Sequence, residues 1–197
     1  MEEGVKSYIQ RLVLAANNLD HEEIGRIVTV IAESRKLNKT IFIVGNGGSA
    51  STASHFACDL GKGTIKKYDD LKEERFRVYS LTDNLATMTA YGNDLNYEEI
   101  FAQQLRNLAK KDDILIVITG SGNSKNILRV LDMAKKMQMI SIGFLGFEGG
   151  EAAKSLDYKV IVKSNDYGII EDLHLVLEHS ICDKIRQILK GEIRKSE

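Results

Sequence analysis

Two sets of side chains able to move protons or hold a cation stand far apart in the chain: His55 with Asp59, and His179 with the acids just upstream of it. Both sets fall in runs of helical periodicity. At about 100° per residue, a spacing of four puts His55 and Asp59 roughly on one helix face. In the last helical run Glu171, Asp172, His174, Glu178 and His179 crowd two turns. Asp172, seven residues before His179, aligns with it more closely than Glu171 does, so spacing leaves open which acid faces inward. Imidazole and carboxylate are ordinary zinc ligands. The same groups also serve metal-free proton transfer, one as base and the other as acid. His174 fits either a site or packing, and His21 reads as surface. Cys58 and Cys182 each follow a site histidine by three residues; small and apolar in helical positions, they read as packing.

Two turns look built for anions. Gly45-Asn-Gly-Gly-Ser-Ala50 joins the strand-like run Thr40–Val44 to a helical run over 49–60. Strand, glycine-rich turn and helix start bring free backbone N–H groups and a positive dipole end to one place. The pattern is neither a P-loop nor the dinucleotide G-x-G-x-x-G. The second turn, Thr119-Gly-Ser-Gly-Asn-Ser124, follows the most apolar run, Ile114–Ile118, and leads into a helix. The hydroxyls of Thr119, Ser121 and Ser124, with Asn123, can satisfy phosphate oxygens without magnesium or arginine. A helix cap needs only one hydroxyl, so three favour a ligand.

The elements that must position these groups follow a strand–turn–helix grammar. Strands are expected at 40–44, 76–81, 114–118, 139–145 and 158–162, and helices at 49–60, 97–109, 123–137, briefly at 149–155, and from about 168 to 190. This alternation predicts a doubly wound, flavodoxin-like α/β fold with a five-stranded parallel sheet. Ligands of such sheets bind outside the carboxyl ends of the strands, which places Asn46–Ser49, Thr82-Asp83-Asn84, Thr119–Ser124 and Ser164–Gly168 on one edge. Ahead of the sheet, residues 4–19 and 21–37 read as an amphipathic hairpin, with Val5, Ile9, Leu12, Val13, Ala16 and Leu19 on the first helix. Asp20 and Glu23 resemble a capping box at the second. Such a hairpin covers a sheet face, docks on another subunit, or does both. The expected organisation is one domain over 1–197, with a loop over Gly61–Glu74.

Bulk properties exclude several classes. The chain has 197 residues, 43% hydrophobic, and carries 27 basic against 28 acidic side chains for a net charge of −1. Its lysine pairs are scattered among acids, so no nucleic-acid face is expected. No apolar stretch reaches the roughly 18–20 residues of a membrane span, and the N-terminus is charged rather than signal-like. Two cysteines make no disulfide framework. A soluble cytoplasmic protein is expected.

Gly-Ser-Gly-Asn-Ser-Lys-Asn126, preceded by Val117-Ile-Thr119, resembles the phosphosugar-binding loop of sugar isomerase (SIS) domains. Gly45–Ala50 with His55 is similar to the first loop of the phosphoheptose isomerase branch. Ser80-Leu-Thr-Asp83, Tyr91-Gly-Asn-Asp94 with Tyr97, Phe101, and His174 with His179 match that branch in order along nearly the whole chain. The resemblance implies isomerisation of sedoheptulose 7-phosphate to D-glycero-D-manno-heptose 7-phosphate, by a homotetramer with active sites between subunits and N-terminal helices (here 1–38) in its central bundle. It places the family's two pairs at His55 with Asp59 and at Glu171 with His179, some members holding Zn2+ there; the isomerase chemistry is read with Asp59 and His179 as the acid–base pair and with His55 and Glu171 completing a metal site of His55, Asp59, Glu171 and His179. It implies substrate contacts from Asn46, Gly47, Gly48 and Ser49 beside the reacting end of the sugar, from Thr119, Gly120, Ser121, Asn123 and Ser124 at the phosphate, and from Asp83, Asn84, Asp94 and Glu171. Three positions depart from the pattern. Asp59 stands where the branch usually has Glu, roughly 1.5 Å shorter; Glu171 stands where it has Gln; and Gly120 replaces a Thr. These departures keep another sugar phosphate open as the substrate. A non-catalytic SIS protein that binds the replication initiator is the alternative of a different class.

Overall fold

Ile114–Thr119 is buried at every position, as a strand covered on both faces must be. In the computed structural model, which describes the backbone of residues 2–196 and the side chains of 3–191, this run is β3 of a five-stranded sheet. The other strands are β1 (Thr40–Gly45), β2 (Arg77–Ser80), β4 (Ile140–Gly146) and β5 (Tyr158–Val162). Their order is β2-β1-β3-β4-β5 and every neighbouring pair is parallel. The strand order therefore reverses between β1 and β3, which puts the ligand crevice of a doubly wound sheet between the loops that follow those two strands.

The helices are α1 (Glu2–Asn17), α2 (His21–Lys36), α3 (Gly48–Gly61), α4 (Leu85–Asp94), α5 (Ala102–Leu108), α6 (Lys125–Lys136) and α7 (Tyr167–Ser196). Alternate strand residues feed two cores, following the two-residue period of a strand. Ile41, Ile43, Ile116 and Phe144 meet Ile27 and Ile31 of α2, Phe56 of α3, and Leu173 and Leu177 of α7. Phe42, Val44, Leu115 and Val117 meet Phe101 and Leu105 at α5, and Ile127 and Val130 of α6. Among the described residues no helix is long and apolar enough to cross a membrane.

The N-terminal hairpin lies on the α3–α7 side of the sheet. Asp20 caps α2, its Oδ1 accepting from the Glu23 N–H at 2.9 Å. The return half of a capping box is absent, because the Glu23 carboxylate accepts from the Lys159 N–H and from Arg26. In α1 the face made by Tyr8, Leu12, Ala15 and Ala16 packs inward. The rest of its expected stripe points away from the core, with Val5 65%, Ile9 50% and Val13 52% exposed. Two polar links tie α1 to the start of α7: Tyr8 OH donates to Asp172 at 2.7 Å, and Arg11 pairs with Asp166 at 2.8 Å.

The structure departs from the sequence expectation in several elements. Helix α4 lies in a stretch that apolar spacing did not mark, and it buries no residue, so it had no periodic stripe to show. The run at 97–109 divides into a 3-10 turn, Tyr97–Glu99, and α5. The expected helix at 149–155 reduces to a single 3-10 turn, Ala152–Lys154. The loop Gly61–Glu74 is closed on itself, with Glu73 accepting from the N–H groups of Lys66 and Lys67 at 2.8 and 2.9 Å.

Candidate active site

The two anion-type turns meet at the β1/β3 reversal. Asn46 Nδ2 donates to Asn126 Oδ1 at 2.9 Å, and Asn126 Nδ2 donates back to Asn46 Oδ1 at 2.8 Å. Tyr97 adds its hydroxyl to Asn46 Oδ1 at 3.2 Å. This reciprocal amide pair locks the first turn to the start of α6, so Asn46 acts as a clasp between the loops. Gly47, at φ +55°, stands at the N-cap of α3 without a side-chain cap. At Gly48 a Cβ would come within 2.6 Å of the Glu171 carboxylate, which puts that acid against the positive end of α3, a favourable place for it. Ser49 is buried one residue on.

The second turn presents hydroxyls and an uncapped helix. Ser124 occupies the N-cap position of α6, yet its hydroxyl makes no cap bond. Thr119 Oγ1 accepts from the Gly122 N–H at 3.3 Å and Ser121 Oγ from the Asn123 N–H at 3.2 Å. Each therefore keeps its own proton to donate. Asn123 spends its carbonyl oxygen on the Glu151 N–H at 2.9 Å, and this bond holds the turn against the β4–β5 connection. Gly120 packs under Tyr167, whose ring would lie 2.9 Å from a Cβ there. The ring occupies the space that a side chain at 120 would take. After β2, Ser54 bonds Asp83, and Ser54, Ser80 and Thr82 form a connected hydroxyl cluster. Asn84 is engaged as the N-cap of α4, accepting from the Thr87 N–H at 3.0 Å. Asp94 closes α4 on the exposed surface and accepts from Asn93.

Farther down α3 and α7, His55, Asp59, Glu178 and His179 come together, with one ligand atom from each and all four atoms within 4.8 Å of one another. The two imidazoles meet edge to face at 5.0 Å. His55 Nε2 lies 3.9 Å from Asp59 Oδ1, and His179 Nε2 lies 3.3 Å from Glu178 Oε2. Three of the four expected metal residues are thus assembled. Glu171 is not among them; it faces Gly48, while Asp172 faces Tyr8. The acid that α7 brings to the group is Glu178. The signal for it was present: Ile170, His174, Glu178 and Cys182 form one i, i+4 row of α7, and all are buried. An acid in an otherwise core-facing row has to be explained.

Glu178 is 0% exposed and neither carboxylate oxygen has a hydrogen-bond partner. Burial first, then the neighbouring Asp59 charge, pushes its carboxyl up to about 7 against the opposing pull of Arg186. His174 belongs to the packing: burial drives its imidazole down to about 4, and Nε2 sits 3.1 Å from the Leu145 carbonyl. Burial, joined by the charge of Glu178, raises the Cys182 thiol. The donor set of two imidazoles and two carboxylates fits a zinc ion, and the buried Glu178 carboxylate, whose oxygens accept no hydrogen bond, is where a positive charge is wanted.

The family profile described as SIS domain matches residues 6–146. The chain belongs to the SIS domain family. Within that family it is 36% identical over 171 residues to the phosphoheptose isomerase of Clostridium acetobutylicum, covering 87% of this chain and 85% of that protein. It is 37% identical over 166 residues to the phosphoheptose isomerase of Helicobacter pylori, covering 84% of each chain. Among solved structures, phosphoheptose isomerase GmhA from Neisseria gonorrhoeae superposes with a TM-score of 0.85 at 27% identity, over 94% of this chain and 98% of that one.

Proposed function

We propose that the protein is an aldose–ketose isomerase that converts sedoheptulose 7-phosphate to D-glycero-D-manno-heptose 7-phosphate. The observation that carries this reading is the presence, in one SIS domain, of an uncapped helix start lined by free hydroxyls and a histidine–carboxylate group. The phosphate binds to Thr119, Ser121, Asn123 and Ser124 at the start of α6. Asn46, Gly47, Gly48 and Ser49 wall the sugar, with Gly120, Asp83, Asn84 and Asp94 around it. Glu171, held beside Gly48, joins that wall.

Isomerisation takes a proton from the carbon beside the carbonyl, passes through an enediol(ate), and returns a proton to what was the carbonyl carbon. Asp59 serves as the base at carbon, and His179 holds and donates the proton for the oxygen. His55, Asp59 and His179 are able to hold Zn2+, which when bound polarises a carbonyl oxygen as a Lewis acid. A carboxylate engaged with a cation is not at that moment a free base, so the two roles of Asp59 compete.

We further propose a cytoplasmic homotetramer with active sites between subunits. His55 and Asp59 lie seven and eleven residues past Gly48, about 10 and 16 Å down the axis of α3 from the turn that starts it. That separation supports a site that borrows one part from a neighbouring chain, and the exposed Val5, Ile9 and Val13 on α1 support an α1-mediated interface. The test is to incubate the purified protein with sedoheptulose 7-phosphate, with and without added zinc, and to look for the aldose. Formation of the heptose is expected. If no ketose phosphate of five to seven carbons turns over while the replication initiator binds, the reading falls.

A further inference from the structure

The amino edge of the sheet, opposite the ligand edge of a doubly wound fold, carries a concentration of positive charge that the proposed function does not use. Arg77 opens β2 beside Thr40 at the start of β1, and Lys110–Asp113 lead into β3 on the other side of β1. Lys39, Arg77, Lys110 and Lys111 thus line one cavity of about 200 Å³, and Asp113 is the acid in its lining. Lys39 is spent: its ammonium donates to the Lys111 carbonyl at 3.2 Å and pairs with Asp112 at 3.4 Å. Asp113 is buried, one oxygen accepting from the Thr40 N–H and the other from the Lys110 N–H, both at 2.8 Å. The side chains of Arg77, Lys110 and Lys111 make no ion pair or hydrogen bond among the described residues. Helices α2 and α5 end here and contribute about half a negative unit each. Set against those two ends and Asp113, the three cations leave about one positive charge over, on a chain whose net charge is −1.

We propose that this cavity binds a diphosphate group, either free inorganic diphosphate or the diphosphate of a nucleotide. Neighbouring strands lie about 4.8 Å apart, so the flanks of β2 and β3 are separated by roughly 10 Å across β1. That is wider than one phosphoryl group bridges, and two linked ones reach both Arg77 and the Lys110-Lys111 pair. Guanidinium and ammonium groups hold such oxygens through charge-assisted hydrogen bonds, the guanidinium in a bidentate grip. Leu37 and Leu108, 65% and 56% exposed, flank the cavity and offer an apolar rim to a nucleoside carried on the diphosphate. None of the lining residues belongs to α1 or to the turns of the carboxyl edge. The site is therefore separate from the proposed sugar-phosphate site and subunit interface, and depends on neither.

The test is calorimetric titration of the whole protein with inorganic diphosphate, without magnesium and at low ionic strength, where exposed cations are least screened. Wild type is expected to bind diphosphate and to melt higher in its presence. In the double variant Arg77→Gln, Lys110→Gln the affinity is expected to fall at least about 10-fold, and the rise in melting temperature to disappear. Ser121→Ala with Ser124→Ala removes two hydroxyls from the start of α6, and is expected to keep the edge site within about 3-fold of wild type. Arg77 and Lys110 are exposed, so their replacement is expected to leave the fold intact. Should the double variant fail to fold, Lys111→Gln is measured in its place, with a loss of about 3-fold or more expected. ADP, titrated in the same way, separates the two sources of the group. Affinity no greater than that of inorganic diphosphate makes free diphosphate the ligand; tighter binding that Leu108→Ala removes makes a nucleotide the ligand, and either result supports the site. No diphosphate binding by wild type, undiminished binding in the Arg77 and Lys110 variant, or loss of all binding in the Ser121 and Ser124 variant would overturn it. So would sulfate bound as tightly as diphosphate, which marks diffuse attraction to basic side chains.

Discussion

Ser124 separates a structural role from a binding role within one side chain. A serine at the N-cap normally bonds the backbone of the first turn, and its loss costs about 1 kcal/mol of stability. Here the hydroxyl makes no such bond, so Ser124→Ala is expected to leave the melting temperature nearly unchanged. Sugar-phosphate binding is expected to weaken by the order of 1 kcal/mol, or more against a charged phosphate. Measuring the dissociation constant beside the melting temperature checks this; a lower melting temperature with unchanged binding would make Ser124 a cap. At the same scale, spacing paired His55 with Asp59, the family resemblance joined His179 to them, and the structure brings their ligand atoms together. Spacing did not choose between Glu171 and Asp172, because both are exposed and each is set by a neighbour distant in sequence, Gly48 for one and Tyr8 for the other. It also passed over Glu178, although the i, i+4 row that Glu178 shares with Ile170, His174 and Cys182 lies on the buried face of α7.

Among the elements, α7 carries the most tension between packing and charge. His174 lies under α7 against Phe144, its Nε2 next to the Leu145 carbonyl of β4, and burial holds its imidazole down to about 4 from an ordinary 6.5. Between those values the unfolded chain binds a proton that the folded chain refuses, so this residue withdraws stability as pH falls from about 6.5 to about 4 and withdraws none above. Glu178, raised from 4.5 to about 7, acts in the opposite sense over an overlapping window. The contribution of His174 is therefore isolated by comparison with His174→Gln. That variant is expected to gain on wild type by about 2 kcal/mol between pH 6.5 and pH 5, read from denaturant unfolding at each pH. Parallel profiles would show that the imidazole titrates normally. Elements with a packed face were legible in the sequence: β3 from its unbroken apolar run, α6 and α7 from their spacing. Helix α4 was not, since it buries nothing and is started by the Asn84 cap rather than by a stripe. The first helix of the hairpin was legible as a helix but not in its orientation, because its apolar residues divide between an inward face and an outward one.

For the molecule as a whole, the alternation of strands and helices pointed to a doubly wound parallel sheet, whose order is β2-β1-β3-β4-β5, and the carboxyl-edge rule located the two turns that Asn46 and Asn126 clasp together. What the edge rule did not convey is depth. The anion turns lie at the edge, whereas His55, Asp59 and His179 lie two or more turns down α3 and α7, so the chemistry and the phosphate anchor are tied to different levels of the fold. The account joins them through proton transfer by Asp59 to and from a bound sugar phosphate, and Asp59→Asn tests that claim most directly. Turnover of sedoheptulose 7-phosphate is measured beside the dissociation constant for the same compound. The predicted result is a loss of turnover of at least about 100-fold, the lower range for a general base, with binding within a few-fold of wild type. Undiminished turnover in Asp59→Asn would contradict the account.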